Sequence, residues 1–227
     1  MQDHTDNREA GGIALVTGAS RGLGAAIAQA LGGAGWQVIA VARTVGALEE
    51  LDDRIRAGGG KPATLAPLDI TRDDAMRHLC RQTYDRWGRV DLWVHTAIHA
   101  PPLSPAGHIG AKDWDRTIAV NIRAPGLLIG MIEPLLRPSP AGTALFFDDA
   151  AARGTRFHGA YGASKAAQMA LVHSWQAEAA RLGPRVVVAE PRPMATALRA
   201  RFHPGEDRAA LTPCADEAAR ILADLNR

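Results

Sequence analysis

Tyr161 and Lys165 stand four residues apart in "GAYGASKAAQMAL", a stretch of small and apolar residues with helical spacing. Four residues is about one turn, so both side chains lie on one helix face. A phenol with a pKa of about 10 is a poor acid–base group at neutral pH. An ammonium one turn away stabilises the phenolate and moves the acid toward working pH, where proton transfer is most effective. Taken alone, the Y-x3-K spacing also fits an ordinary surface pair. Two carboxylates, Asp148 and Asp149, precede Tyr161 by thirteen and twelve residues. An ionised aspartate accepts hydrogen bonds and donates none. Beside Tyr161 it raises the phenol pKa and opposes the lysine.

A second cluster lies near the start. "VTGASRGLG" (16–24) places Gly18, Gly22 and Gly24 between a β-rich run and a helical pattern. Glycines there let the backbone close on a pyrophosphate whose charge faces the helix N-terminus. Glycine also serves tight turns, but the position after the first strand points to a dinucleotide site at Gly18, Ser20, Arg21, Gly22, Leu23 and Gly24. The second strand ends "AVART". An acidic residue there would bind ribose hydroxyls and repel a 2′-phosphate. Arg43 and Thr44 at the tip, with Arg21 in the loop, favour that phosphate, so the expected cofactor is NADP(H) rather than NAD(H). Each arginine alone also reads as a solvated surface residue. Asp69 ends the third strand, where it either accepts from an adenine amino group or caps a helix; the two roles are compatible.

These clusters need elements to hold them. Apolar runs at 13–18, 37–42, 63–69, 89–97, 143–148 and 185–190 alternate with helical patterns at 24–35, 45–58, 71–88, 112–136, 159–183 and 215–225. Continuous apolar strands separated by helices are buried on both faces. The expected fold class is therefore α/β, a doubly wound parallel sheet with right-handed crossovers. The stretches 98–111 and 191–213 read as loops. A polar tail, 1–10, precedes a single domain over 11–227.

Composition narrows the function. The 227 residues include 26 basic and 24 acidic side chains, with a net charge of +2, and the arginines are scattered rather than striped. That argues against nucleic acid as the main partner. Cys80 and Cys214 lack metal-like spacing and read as reduced thiols, which fits a cytoplasmic protein. The eight histidines show no zinc pattern, so no metal is expected. No apolar run has the length of a membrane span, and the first residues carry no signal-peptide core, so no membrane partner is expected.

"TGASRGLG", the "LD" at 68–69, "VN" at 120–121, "YGASK" at 161–165, and Pro191 with Thr196 together make the chain resemble the short-chain dehydrogenase/reductase family over essentially its whole length. The resemblance implies a Rossmann-type sheet of order 3-2-1-4-5-6, here without the family's last strand. It implies Tyr161 as proton donor, Lys165 as partner of tyrosine and cofactor, Asn121 at a helix kink in a proton relay, and Thr196 at the cofactor. A small-molecule substrate is expected, and a homodimer formed through the two long helices.

The chain also departs from the family. His95-Thr96-Ala97-Ile98 stands where N-N-A-G is usual, and Arg192 follows Pro191 in place of glycine. The family's active-site serine falls on Asp148, or on Asp149 with a one-residue shift. An Asp148–Arg192 pair is one arrangement at the cleft edge; a solvent-facing Arg192 is the other. An aspartate at this position resembles the pteridine and dihydromonapterin reductases, as does "RGTRFHGAY" (153–161), whereas 194–213 resembles a different bacterial oxidoreductase branch. The expected activity is NADPH-dependent reduction of a small carbonyl or imine, with a pterin as one substrate reading. The alternative is a cofactor-binding module with little catalysis.

Overall fold

The structure, a computed structural model, describes residues 11–225. The tail expected at 1–10 lies outside the described residues. Six parallel strands form one sheet in the order β3-β2-β1-β4-β5-β6. They are β1 (Ile13–Thr17), β2 (Gln37–Ala42), β3 (Thr64–Pro67), β4 (Leu92–His95), β5 (Thr143–Phe147) and β6 (Arg185–Ala189). Between and after them run α1 (Gly22–Gly33), α2 (Val45–Ala57), α3 (Asp73–Trp87), α4 (Ala111–Ile118), α5 (Ala124–Leu136), α6 (Gly159–Ala179), α7 (Ala197–Phe202) and α8 (Cys214–Leu225).

Successive strand residues point to opposite faces, and both faces are covered. On one side Leu15, Trp93, Phe146, Leu128, Ile132 and Trp175 form a core beneath α3, α5 and α6. On the other, Val16, Val94, Ile27, Leu51, Ile55 and Ile221 pack beneath α1, α2 and α8. The register sets Thr17 beside both Val41 and His95, so three central strands end together. The strand order reverses between β1 and β4, which opens a crevice at their carboxyl ends.

Two segments differ from the sequence expectation. The helix expected over 112–136 is interrupted by a π turn, Ala119–Arg123, centred on Asn121. Pro125 supplies a reason. In an α-helix the Asn121 carbonyl would accept from residue 125, and proline has no N–H. The other segment, 191–213, contains α7, which is too short to show periodicity. Thr196 starts it by accepting from the Arg199 backbone N–H at 3.2 Å. In addition, the continuous helical stretch Ala111–Leu136 is long and apolar enough to cross a membrane by length and composition, contrary to the reading of the sequence. Its Leu128, Ile132 and Leu136 are buried in the core beneath the sheet.

Asp91 fastens the opposite end of the sheet. Its carboxylate accepts from the Ile13 N–H at 2.8 Å, Ser139 Oγ at 2.6 Å and Arg89 Nε at 2.9 Å. Its backbone bonds Ile13 O and the Thr143 N–H. One side chain thus ties together the entries to β1, β4 and β5. Asp91→Ala strands these partly buried donors and is expected to cost about 1–3 kcal/mol. Urea unfolding should show a lower midpoint with an unchanged slope.

Candidate active site

The turn between β1 and α1 folds tightly onto its neighbours. Gly18 N–H and Ala19 N–H donate to Val41 O at 2.9 and 3.2 Å. Gly18 has φ +91°, and a methyl there would lie 2.6 Å from Ala97 N. A methyl on Gly24 would lie 2.3 Å from Thr96 Oγ1 and 2.4 Å from Gly18 O. Thr96 Oγ1 donates to Thr17 O at 2.9 Å and reaches Gly18 O at 3.2 Å. The threonine that departs from the family pattern therefore pins the glycine turn from β4.

This turn borders a cleft of about 1380 Å³, lined by Gly18, Ser20, Arg21, Gly22, Leu23 and Gly24. Arg43 and Asp69 also line it, whereas Thr44 starts α2 and is not among the lining residues. Asp69 Oδ1 accepts from Thr71 N–H at 3.0 Å and Thr71 Oγ1 at 2.8 Å, and Oδ2 lies 3.9 Å from Arg43. Burial pushes its carboxyl up, but the Thr71 bonds and Arg43 outweigh this and hold it below the usual range. The Thr71 bonds give it a turn-forming role, while Oδ2 still borders the cleft. Thr196 lines the same cleft, with Cγ2 3.4 Å from a methyl built on Gly22.

The first turns of α6 bring Tyr161 and Lys165 into the cleft, and the end of β5 brings Asp148 and Asp149. Lys165 is 5% exposed. Its ammonium donates to Phe147 O and, at 2.6 Å, to Gln168 Oε1. Burial lowers its pKa to about 8, although Asp148 and Asp149 push it back up; Arg153 reinforces the lowering. Tyr161 is 3% exposed. Its phenol is held well above the ordinary tyrosine range, first by burial and then by the negative charge of Asp149, with Asp148 adding to the effect. In this arrangement burial and the two carboxylates oppose the lowering expected from Lys165.

The two aspartates have different partners. Asp148 is ion-paired with Arg153 and accepts from the Asp149 N–H at 2.8 Å. Arg192 is turned to Glu217, its backbone N–H donating to Oε1 at 2.9 Å. The Asp148–Arg192 pair is not formed: Asp148 pairs with Arg153, and the Arg192 side chain is largely solvent-facing. Of the two, Asp149 has the larger effect on Tyr161.

Asn121 is fully buried and does not line the cleft. Its carboxamide clamps the His99 backbone, accepting from N–H at 2.8 Å and donating to the carbonyl at 2.9 Å. It also donates to Ser164 Oγ at 2.9 Å, which in turn donates to Tyr161 O at 2.8 Å. Asn121 thus fixes the loop after β4 to the start of α6. Above the tyrosine, Phe202 of α7 packs 4.8 Å from the Tyr161 ring and 4.9 Å from His158. Arg201 donates across the cleft to Ala100 O.

Sequence reasoning missed Gln168, Phe202 and the larger influence of Asp149 on Tyr161. Gln168 had a signal, a polar residue one turn past Lys165 in an otherwise small and apolar helix face. Phe202 had none, since it depends on how α7 folds back.

The family model for short chain dehydrogenases matches residues 12–207, and the chain belongs to that family. It is 30% identical to the L-fucose dehydrogenase of Oryctolagus cuniculus over 184 residues, 81% of this chain, and spans 63% of that relative's length. A short chain dehydrogenase from Escherichia coli CFT073, complexed with NADPH, superposes with a TM-score of 0.89 at 28% identity, covering 94% of this chain and 90% of that one. A metagenomic short-chain oxidoreductase in complex with NADP superposes with a TM-score of 0.81 at 30% identity, covering 96% and 92%.

His95 yields a prediction. Its Nδ1 lies 2.8 Å from Thr17 Oγ1, and Nε2 is buried without a hydrogen-bond partner among the described residues. Burial, helped by Lys165, lowers its pKa to about 3. The folded state therefore keeps it neutral while an unfolded chain takes up a proton below about pH 6.5. Its contribution to stability is complete above that pH and declines as pH falls toward 3, by up to ~1.4 kcal/mol per unit. Asn in place of His95 should flatten this acid limb in unfolding measured from pH 7 to 4.

Proposed function

We propose that the chain is an NADP(H)-dependent oxidoreductase that reduces a small carbonyl or imine compound, with Tyr161 as proton donor. The observation that carries this is one cleft faced at one end by the glycine turn and at the other by Tyr161 and Lys165. The residues fit the cofactor. Gly18 and Gly24 leave the backbone bare where a methyl would collide with the turn's own packing. The α1 N-terminus suits a pyrophosphate. Arg21 and Arg43 would hold a 2′-phosphate, Asp69 Oδ2 an adenine amino group, and the remaining Lys165 N–H a ribose hydroxyl. When bound, NADPH supplies the hydride.

The chain's own task is to hold and release a proton at Tyr161 Oη. Asp149 lies near enough to that proton for its charge to raise the phenol pKa. A substrate that brings its own N–H or a protonated imine satisfies the carboxylate and frees the phenol to donate. A plain ketone leaves Asp149 ionised and without a new donor. This supports a nitrogen-bearing substrate, with pterins as one such class, and moves the selecting role from Asp148 to Asp149. The raised tyrosine pKa favours the second reading, a cofactor-binding module with little catalysis. Assembly as a homodimer through α5 and α6, in the cytoplasm, completes the proposal.

Turnover with NADPH against ketones, aldehydes, quinones and dihydropterins tests the reading. Tyr161→Phe should lower kcat by roughly 10²–10⁴ on any substrate found; NADPH binding without turnover on the whole panel would instead favour the module. Arg43→Ala should weaken NADPH about ten- to a hundredfold while leaving NADH nearly unchanged, as read by fluorescence titration. An unaltered preference removes Arg43 from the phosphate site.

A further inference from the structure

Gln168 is 2% exposed and both ends of its carboxamide are occupied. Oε1 accepts from Lys165 Nζ at 2.6 Å, and Nε2 donates to the Asn121 carbonyl at 3.1 Å. Chemistry forces that orientation, because an ammonium only donates and a carbonyl only accepts. The carbonyl is available because Pro125 cannot supply the N–H that an α-helix would direct to it. A carboxamide of this length meets both demands. Glutamate would set a carboxylate against the carbonyl, and methionine would leave the ammonium one acceptor short.

We infer that Gln168 is a positioning residue for the proposed reaction: its carboxamide ties the Lys165 ammonium to the Asn121 carbonyl and aims the ammonium's remaining N–H at the cleft. The inference rests on the reading of Tyr161 and Lys165 as the working pair. With two N–H groups committed to Phe147 O and Gln168 Oε1, the third is the only one free to meet a cofactor hydroxyl or the phenol. The bridge also makes the π turn part of the site, since Asn121 holds the His99 loop with its side chain and the lysine, through Gln168, with its carbonyl.

Gln168 then helps to set the charge on Lys165 together with the other groups that face it: His95 at the end of β4, Asp148 and Asp149 after β5, Arg153 in the following loop, and Tyr161 on α6. Removing the carboxamide oxygen removes an acceptor that favours the ammonium; a carboxylate in its place favours it more.

The chain has three lysines, Lys61, Lys112 and Lys165. Titration of protein labelled with 13Cε-lysine therefore reports Lys165 directly, with Lys61→Arg and Lys112→Arg for assignment. Lys165 should titrate near pH 8 in the native chain. It should shift down by roughly one unit in Gln168→Met and up by a similar amount in Gln168→Glu. The alkaline limb of kcat/KM should follow in the same opposite directions. A role confined to packing would lower the stability of both variants without splitting the titrations. Coincident Lys165 titrations in native and folded variant protein overturn the inference, and Gln168→Glu serves if Gln168→Met fails to fold. Activity retained in Tyr161→Phe would instead overturn the functional reading, and the titration separates the two failures.

Discussion

The ammonium of Lys165 lies inside the protein, among a strand-end carbonyl and a carboxamide oxygen. Taking a charge out of water costs several kcal/mol unless polar groups replace its hydration. The surroundings are arranged around that requirement. β5 ends with Phe147 O turned to the amine, α6 brings Gln168 one turn later, and Asp148 and Asp149 add negative charge nearby. The parallel sheet makes this feasible because β1, β4 and β5 end at the same edge, where side chains from separate elements converge.

Much of this was legible in the sequence. Alternation of apolar runs with helices indicates the doubly wound α/β class, and the family resemblance implies the strand order and the roles of Tyr161 and Lys165 beside the cofactor. What could not be read were relations across the chain. Asp148 and Asp149 are neighbours in sequence, but only the fold sends one to Arg153 and the other to Tyr161. Arg192 lines the cleft with a largely exposed side chain, while Glu217 of α8 holds its backbone N–H. The π turn was anticipated only as a kink, although Pro125 stood four residues after Asn121 in plain view.

Tyr161 shows two demands in conflict. A buried phenol near two carboxylates keeps its proton, and a proton donor must let it go. Under the proposed function, a substrate donor that reaches Asp149 relieves this tension. Phe202 packs on the Tyr161 ring and Arg201 bonds Ala100 O, so α7 helps to shape the cleft beside the phenol.

Pro125 and Gln168 lie on different helices and serve the same carbonyl. Their substitutions should not be independent. A residue with an N–H at position 125 would offer the Asn121 oxygen a partner within its own helix, competing with the carboxamide from α6. Exchange at either position then changes what the other is worth, a coupling between two sites 43 residues apart in sequence. Redesign of this region therefore has to treat the two positions as one unit.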